Sequence, residues 1–127
     1  MQSFLRNTEE APETRDGMEE GADAARNLPR AVRAAEILYW AAEDSGIDPN
    51  DLDDEDYMEF DHYNISRVEP GKLWIEIYEK GKRGTLGPIL VPKSATSLLG
   101  EGWDISCALA RVKGKWRIIE VANVYPL

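Results

Sequence analysis

Apolar residues recur at helical spacing between residues 22 and 46. Asn27 can cap a helix and Pro29 suits its first turn, and Gly46 is a common stop signal. The pattern therefore predicts one long helix with a single buried face. The residues expected on that face are Leu28, Val32, Ala35, Leu38, Tyr39 and Ala42. Ile37 and Trp40 fall outside this stripe, so the helix is either covered on two sides or meets a partner, and a homodimer is possible.

The next segment, residues 48–61, reads DPNDLDDEDYMEFD and carries eight acidic side chains in fourteen residues. Asp48 and Pro49 form a good helix start, and acidic residues suit the positive end of a helix. Leu52, Tyr57 and Phe60 can supply a thin buried edge. We expect one to three turns of helix between residues 49 and 61.

From residue 62 onward the pattern changes to alternation, which is typical of strands. Leu73, Ile75 and Ile77 should point one way, and Trp74, Glu76 and Tyr78 the other. Pro70-Gly71 predicts a tight turn, EKGKRGTLGP a basic loop and Lys113-Gly114 a hairpin. The last strand is apolar on both faces, which predicts cover on both sides.

These elements together predict an α+β fold. The long helix and the short acidic helix would pack on a strongly curved antiparallel sheet of four or five strands, shaped like a cone or a small barrel. We expect an acidic disordered arm over residues 1–21 and one domain over residues 22–127, helical to residue 61 and β from residue 62.

The composition limits which cellular compartment and which covalent chemistry are expected for this chain. The chain of 127 residues has one cysteine, Cys107, so an intrachain disulfide is excluded. It shows neither a secretory signal nor an apolar run long enough to cross a bilayer, so we expect a cytoplasmic protein without membrane contact.

The net charge of −9 is divided unevenly along the chain. Residues 1–61 carry −13 and residues 62–127 carry +4. Such asymmetry favours charge-steered association, either between the two halves or with a basic protein. We therefore expect a non-catalytic interaction protein, of the inhibitor or immunity type. Its predicted partner-binding residues are Asp51, Asp53, Asp54, Glu55, Asp56 and Glu59.

Neither a metal site nor a catalytic group is predicted. No register of the acidic segment places calcium-loop ligands and the required glycine together. His62 is the only histidine, Cys107 sits mid-strand among apolar residues, and no serine lies in a nucleophile-elbow motif. No cofactor is expected.

Two alternative functions remain open. The first is a small-molecule or enzymatic pocket on the concave sheet face, because aromatic residues and one carboxylate can line a cavity. Its candidate residues are Trp74, Glu76, Tyr78, Trp103 and Trp116. The second is single-stranded nucleic-acid binding by two basic hairpin tips, although the overall acidity opposes it. The tip residues are Lys80, Lys82, Arg83, Lys113 and Lys115.

Overall fold

The computed structural model describes the backbone of residues 12–127 and the side chains of residues 25–127. One long helix precedes five strands, and a single short helix lies between the third and fourth strands. Two 3-10 turns, Pro49–Asp51 and Asp54–Asp56, connect the long helix to the sheet. The elements are α1 (Pro12–Asp44), β1 (Tyr57–Glu69), β2 (Lys72–Glu79), β3 (Lys82–Leu90), α2 (Lys93–Thr96), β4 (Asp104–Val112) and β5 (Lys115–Tyr125).

The five strands follow one another in a ring, in the order β1, β2, β3, β5, β4 and back to β1. The α+β class and the curved sheet predicted from the sequence are therefore confirmed. The sheet is mixed rather than purely antiparallel, because β3 and β5 run parallel. That junction is short: only Ile89 with Trp116 and Leu90 with Arg117 are paired.

Large aliphatic side chains fill the interior of the ring. Strand alternation sends Leu73 and Ile75 of β2 inward, as predicted, and both are almost completely buried. The other large aliphatic residues of the strands that are fully buried are Ile65, Ile89, Ile105 and Leu109. The ring therefore encloses a packed core, and the free energy gained by burying these side chains stabilises the fold.

Helix α1 packs mainly against β5 and adds its own residues to this core. The buried positions are Ala31, Ala34, Leu38 and Ala42, whereas Leu28, Val32 and Tyr39 remain exposed. The predicted buried face was therefore wrong for these three residues, because the small alanine side chains face the sheet. Asn27 and Pro29 do not start the helix, since α1 already begins at Pro12. Residues 12–21 of the expected arm lie within α1, and residues 1–11 lie outside the described residues.

The acidic segment forms less helix than expected. Its helical content is limited to the two 3-10 turns, and β1 begins at Tyr57, five residues before the predicted change at residue 62. The physical reason is the pairing of Tyr57 and Met58 with Ala110 and Leu109 of β4, which draws the end of the segment into the sheet.

Strands β3 and β5 also differ from the expectation. The predicted basic loop is largely strand, because a tight turn at Lys80-Gly81 with positive φ at both residues lets β3 begin at Lys82. The predicted hairpin over Lys113-Gly114 is present with the same conformation. The last strand is buried on one face only: Ile118, Val121 and Val124 are buried, while Ala122 and Tyr125 are exposed. No helix among residues 12–127 combines the length and apolar character needed to span a bilayer.

Gly87 of β3 makes room for the ring of Trp74 on the outer face of the sheet. A Cβ atom at this position would lie 2.5 Å from Trp74 Cδ1 and 2.8 Å from the carbonyl oxygen of Leu73. A Cβ at Gly84 of the same strand would meet only Ile77 Cγ1, at 3.9 Å.

We therefore expect Gly87→Ala to lower the free energy of unfolding by about 1–3 kcal/mol, because the Trp74 ring or the backbone must move. Gly84→Ala is the matched control and should be close to neutral. Urea unfolding followed by tryptophan fluorescence measures both. Equal stability of the two variants would contradict this description of the Trp74 site.

Candidate functional site

The acidic surface, comprising Asp51, Asp53, Asp54, Glu55, Asp56 and Glu59, lies on the two 3-10 turns and the first residues of β1. Asp48 caps the first turn, since its carboxylate accepts a hydrogen bond from the backbone N–H of Asn50 at 2.9 Å. All members are exposed except Asp56, which is half-buried. The structure therefore brings the six predicted partner-binding residues onto one continuous segment.

Arg111 of β4 anchors this segment to the sheet. Its Nε donates to the Asp56 carboxylate at 2.8 Å, and its NH2 group donates to the backbone oxygen of Glu55 at 3.4 Å. The guanidinium also lies 5.4 Å from the ring centre of Trp116. The sequence analysis missed Arg111, because 55 residues separate it from Asp56 and no local pattern connects them.

Most of the charge on the acidic surface has no counterion among the side chains that the structure describes. Carboxylate oxygens of Asp53, Glu55 and Asp56 lie within 4.8 Å of one another, and Arg111 pairs only with Asp56. No other residue of the acidic surface forms an ion pair with a residue that the structure describes. Converging carboxylates can attract a cation, but exposed acidic groups are common without one. The grouping therefore provides negative potential at the surface.

A bulge in β1 exposes an aromatic side chain, Phe60, that lies between Glu59 and Asp61 in the sequence. The register passes from Met58 opposite Leu109 to Asp61 opposite Cys107, so two residues, Glu59 and Phe60, face Ala108 alone. The Phe60 side chain is 44% exposed. Bulges redirect side chains in this way and are common next to functional sites. Sequence alternation alone gives no sign of a bulge, so Phe60 had been assigned to a buried edge.

Tyr63 supports the bulge through a hydrogen bond to its backbone. Its hydroxyl donates to the backbone oxygen of Glu59 at 2.8 Å, and the ring is buried. Burial raises the pKa of Tyr63 to about 12, with smaller contributions from neighbouring groups that include Cys107 and Asp61. Tyr63 therefore remains a neutral hydrogen-bond donor at physiological pH.

His62 lies beside the bulge and is fixed by two polar contacts. Its Nδ1 is 3.1 Å from Ser106 Oγ, and its Nε2 is 3.1 Å from Asp104 Oδ2. Serine, histidine and aspartate are the groups of a nucleophilic triad, but Ser106 is only 7% exposed, so a substrate has little access to it. Cys107 is also buried, and burial raises the pKa of its thiol to about 12, which leaves it unreactive. The contacts orient the imidazole without giving it an accessible nucleophile.

The five pocket candidates do not gather around one cavity. Trp103 is buried, with Arg30 5.3 Å from its ring centre, whereas Trp74 lies on the outer face of the sheet beneath Arg67. Trp116 contacts Arg111 at the acidic segment. Of the five, Glu76 and Tyr78 line the same cleft, of about 360 Å³, which also includes His62, Asp61 and Asp104. The concave interior, which was one alternative location for a ligand, is filled by the core side chains.

The two basic tips do not form one patch. Lys80, Lys82 and Arg83 line a cleft at the start of β3. Lys113 and Lys115 line a different and larger cleft, of about 760 Å³, between the end of α1 and the end of β3. Strand β3 connects the two tips, because Lys82 belongs to the first and Ile89 pairs with Trp116, next to Lys115 of the second. The segment from Lys82 to Ile89 spans roughly 23 Å. A ligand would have to be extended to touch both.

Tyr78 is the most exposed aromatic side chain of the outer face, at 71%. Arg83 lies 5.9 Å from its ring centre and donates to its hydroxyl at 3.3 Å; this hydrogen bond is the largest influence that raises the pKa of Arg83. Stacking platforms for bases have this combination of ring and guanidinium. However, the adjoining cleft contains Asp61, Glu76 and Asp104, which repel phosphate.

Comparison of the chain with protein-family models, with curated proteins and with solved structures found no match. The functional inference therefore depends on the chain's own residues.

The Tyr63 hydroxyl provides a direct test of the bulge. We expect Tyr63→Phe to lower the free energy of unfolding by about 1 kcal/mol and to speed amide exchange at Glu59, Phe60 and Asp61, because the backbone oxygen of Glu59 loses its donor. Tyr57→Phe is the control, since the Tyr57 hydroxyl makes no hydrogen bond within the described part of the chain. Denaturant unfolding and hydrogen exchange measure the two effects; exchange as slow as in the wild type would contradict this role for Tyr63.

Proposed function

We propose that this protein is a non-catalytic interaction module that binds a basic protein through its acidic surface and Phe60. The observation that supports the proposal is the exposed Phe60 on the β1 bulge, flanked in sequence by Glu59 and Asp61, neither of which forms an ion pair with a described residue.

An exposed aromatic side chain and unpaired charges have complementary roles in recognition. Interfaces draw most of their binding free energy from a few central anchors, and aromatic residues are common among them. Charges around such an anchor mainly accelerate encounter and exclude wrong partners. Phe60 is suited to the first role and the acidic surface to the second.

The charge distribution favours a partner over pairing within the chain. Asp56 with Arg111 is the single ion pair between described residues that joins the acidic half to the basic half. The other ion pairs, Arg33 with Glu36, His62 with Asp104 and Arg67 with Glu69, each lie within one half. The negative potential of the acidic surface therefore remains available to another molecule.

The partner should present lysine and arginine side chains around an apolar recess. The negative charge continues past the bulge through Asp61, Glu76 and Asp104 in the adjoining cleft, so the basic surface of the partner should extend beyond the recess. Phosphate-rich molecules would meet repulsion at the same place.

The test compares four forms of the 127-residue chain as immobilised baits. They are the wild type, Asp53→Asn/Asp54→Asn, Phe60→Ser, and the matched control Glu79→Gln/Glu120→Gln, which removes the same charge from exposed positions elsewhere. Asp56 is left unchanged, because its contact with Arg111 holds the segment in place. Nuclease-treated host lysate is applied at 50 mM and 300 mM salt.

We expect the wild type and the control to retain the same basic protein at low salt, and less of it at high salt. With that partner purified, the Asp53/Asp54 variant should bind about tenfold more weakly, and Phe60→Ser about thirtyfold more weakly. Equal retention by all four baits, or retention of no basic protein by the wild type, would overturn the proposal. Binding of single-stranded oligonucleotides that Tyr78→Ala abolishes would assign the function to the outer sheet face instead.

A further inference from the structure

We propose that the cleft between the end of α1 and the β4–β5 hairpin binds a single-chain anionic amphiphile, that is, an aliphatic chain with one carboxylate or phosphate head group. This basic cleft, of about 760 Å³, is lined by Lys113, Lys115 and Arg117 together with apolar residues of α1 and the strands. Its volume lies in the range that is typical of small-molecule sites. The inference is independent of the basic-partner proposal, because none of the lining residues belongs to the acidic surface.

The basic cleft exists because two elements end at the same place. Strand β3 ends at Leu90, which is paired with Arg117, and α1 ends at Asp44. Neither element continues over the first residues of β5, so a recess remains beside them. The buried residues Leu38 and Ile118 belong to its lining, so the recess extends down to the core.

Strand pairing places cationic and apolar side chains of the cleft on one face of the sheet. Arg117 is paired with Leu90 and Lys115 with Val112, and residues paired across two strands point to the same side. Lys115 and Arg117 are two positions apart on β5, so all four side chains share that side. An anion held by the two cations would therefore have aliphatic side chains beside it.

Three apolar residues of the cleft are not used by the core. Ile47, Leu90 and Val112 are half-buried, and none of them belongs to the side chains that pack against the buried cluster. A ligand can therefore cover their exposed surface without any rearrangement of the core. Each methylene group that a ligand transfers from water to such a surface adds to its affinity.

The cations of the cleft have no counterion among the described side chains. Lys113, Lys115 and Arg117 are exposed and form no ion pair there. Asp44 is the single carboxylate among the described lining residues, and it is paired with none of the three. Lysine and arginine bind carboxylate and phosphate oxygens through charge-assisted hydrogen bonds. Because salt screens charges more than about 8 Å apart, the local cations outweigh the net acidity of the chain.

Isothermal titration calorimetry of the wild type with decanoate and with decyl phosphate, each kept monomeric, is the direct test. We expect a single saturable site with a Kd of about 0.1 mM, and the tighter of the two ligands identifies the head group. Decyltrimethylammonium has the same chain with the opposite charge and should bind about tenfold more weakly or worse. Hexanoate should bind about tenfold more weakly than decanoate, because it covers less of the apolar lining.

Charge variants test the role of the cations. Lys115→Gln/Arg117→Gln should weaken binding of the tighter ligand about tenfold, because it removes two of the groups that hold the anion. Lys80→Gln/Lys82→Gln is the matched control: it removes the same charge from exposed positions at the other hairpin tip and should bind as the wild type does.

A second pair of variants tests the apolar lining. Ile47→Ser should weaken binding of the tighter ligand about threefold, because the aliphatic chain loses part of its contact. Leu52→Ser is the matched control, since Leu52 is also half-buried and outside the core but does not line the cleft. Amide chemical shifts of the wild type should change at Ile47, Leu90 and Val112 when the ligand is added.

Circular dichroism will establish that each variant is folded and stays folded with ligand. The absence of saturable binding by both decanoate and decyl phosphate up to about 1 mM would overturn the proposal. Equal binding of the cationic amphiphile would overturn it as well, since the cations would then have no role. Equal weakening by the two charge variants, or binding that occurs only with unfolding, would show that the cleft is not the site.

Discussion

The junction between β3 and β5 is the constraint on which the rest of the structure depends. Only two residue pairs connect these strands, so most of β5 has no strand partner on that side. Helix α1 packs along β5 and contributes Ala31, Ala34, Leu38 and Ala42 to the core of the ring. Without this helix, aliphatic side chains of the interior would be exposed to water along the open side of β5. The long helix is thus part of the core and not an addition to it.

The close approach of α1 also decides what remains on its surface. Among the side chains of α1 that the structure describes, three of the four buried ones are alanines, which allow the helix to lie near the sheet but leave its larger apolar side chains outside. In an isolated monomer, a helix that buries small residues and exposes large ones gains less hydrophobic stabilisation than the reverse arrangement would give.

The coarse architecture could be predicted from the sequence, because it depends on local patterns. The helical spacing before residue 46, the alternation in Leu73, Ile75 and Ile77, and the turn residues at Lys113-Gly114 each act over a few positions. The rotation of α1 could not be predicted in the same way, since both of its stripes have helical spacing and only the fit of alanine against β5 separates them. The early start of β1 depends on pairing with β4, about fifty residues away in sequence.

The candidate site shows the same division. The acidic surface is visible in the sequence as a run of charges, but the features that organise it come from distant strands. Arg111 fixes Asp56, Tyr63 supports the bulge, and Ala108 provides the single residue opposite Glu59 and Phe60. Trp74 and Tyr78 were correctly placed on the face of β2 opposite Leu73 and Ile75. The sequence pattern did not predict that the sheet closes into a ring. This closure turns Trp74 and Tyr78 outward, and aliphatic residues fill the interior.

The single cysteine has a practical consequence for studying this molecule. Cys107 is 1% exposed, and its thiol remains protonated far above neutral pH. A maleimide or nitroxide reagent will therefore not react with Cys107 while the protein is folded. Any surface cysteine introduced on α1, the bulge or a hairpin tip becomes a unique attachment point for a fluorophore or spin label, with no need to remove the native residue.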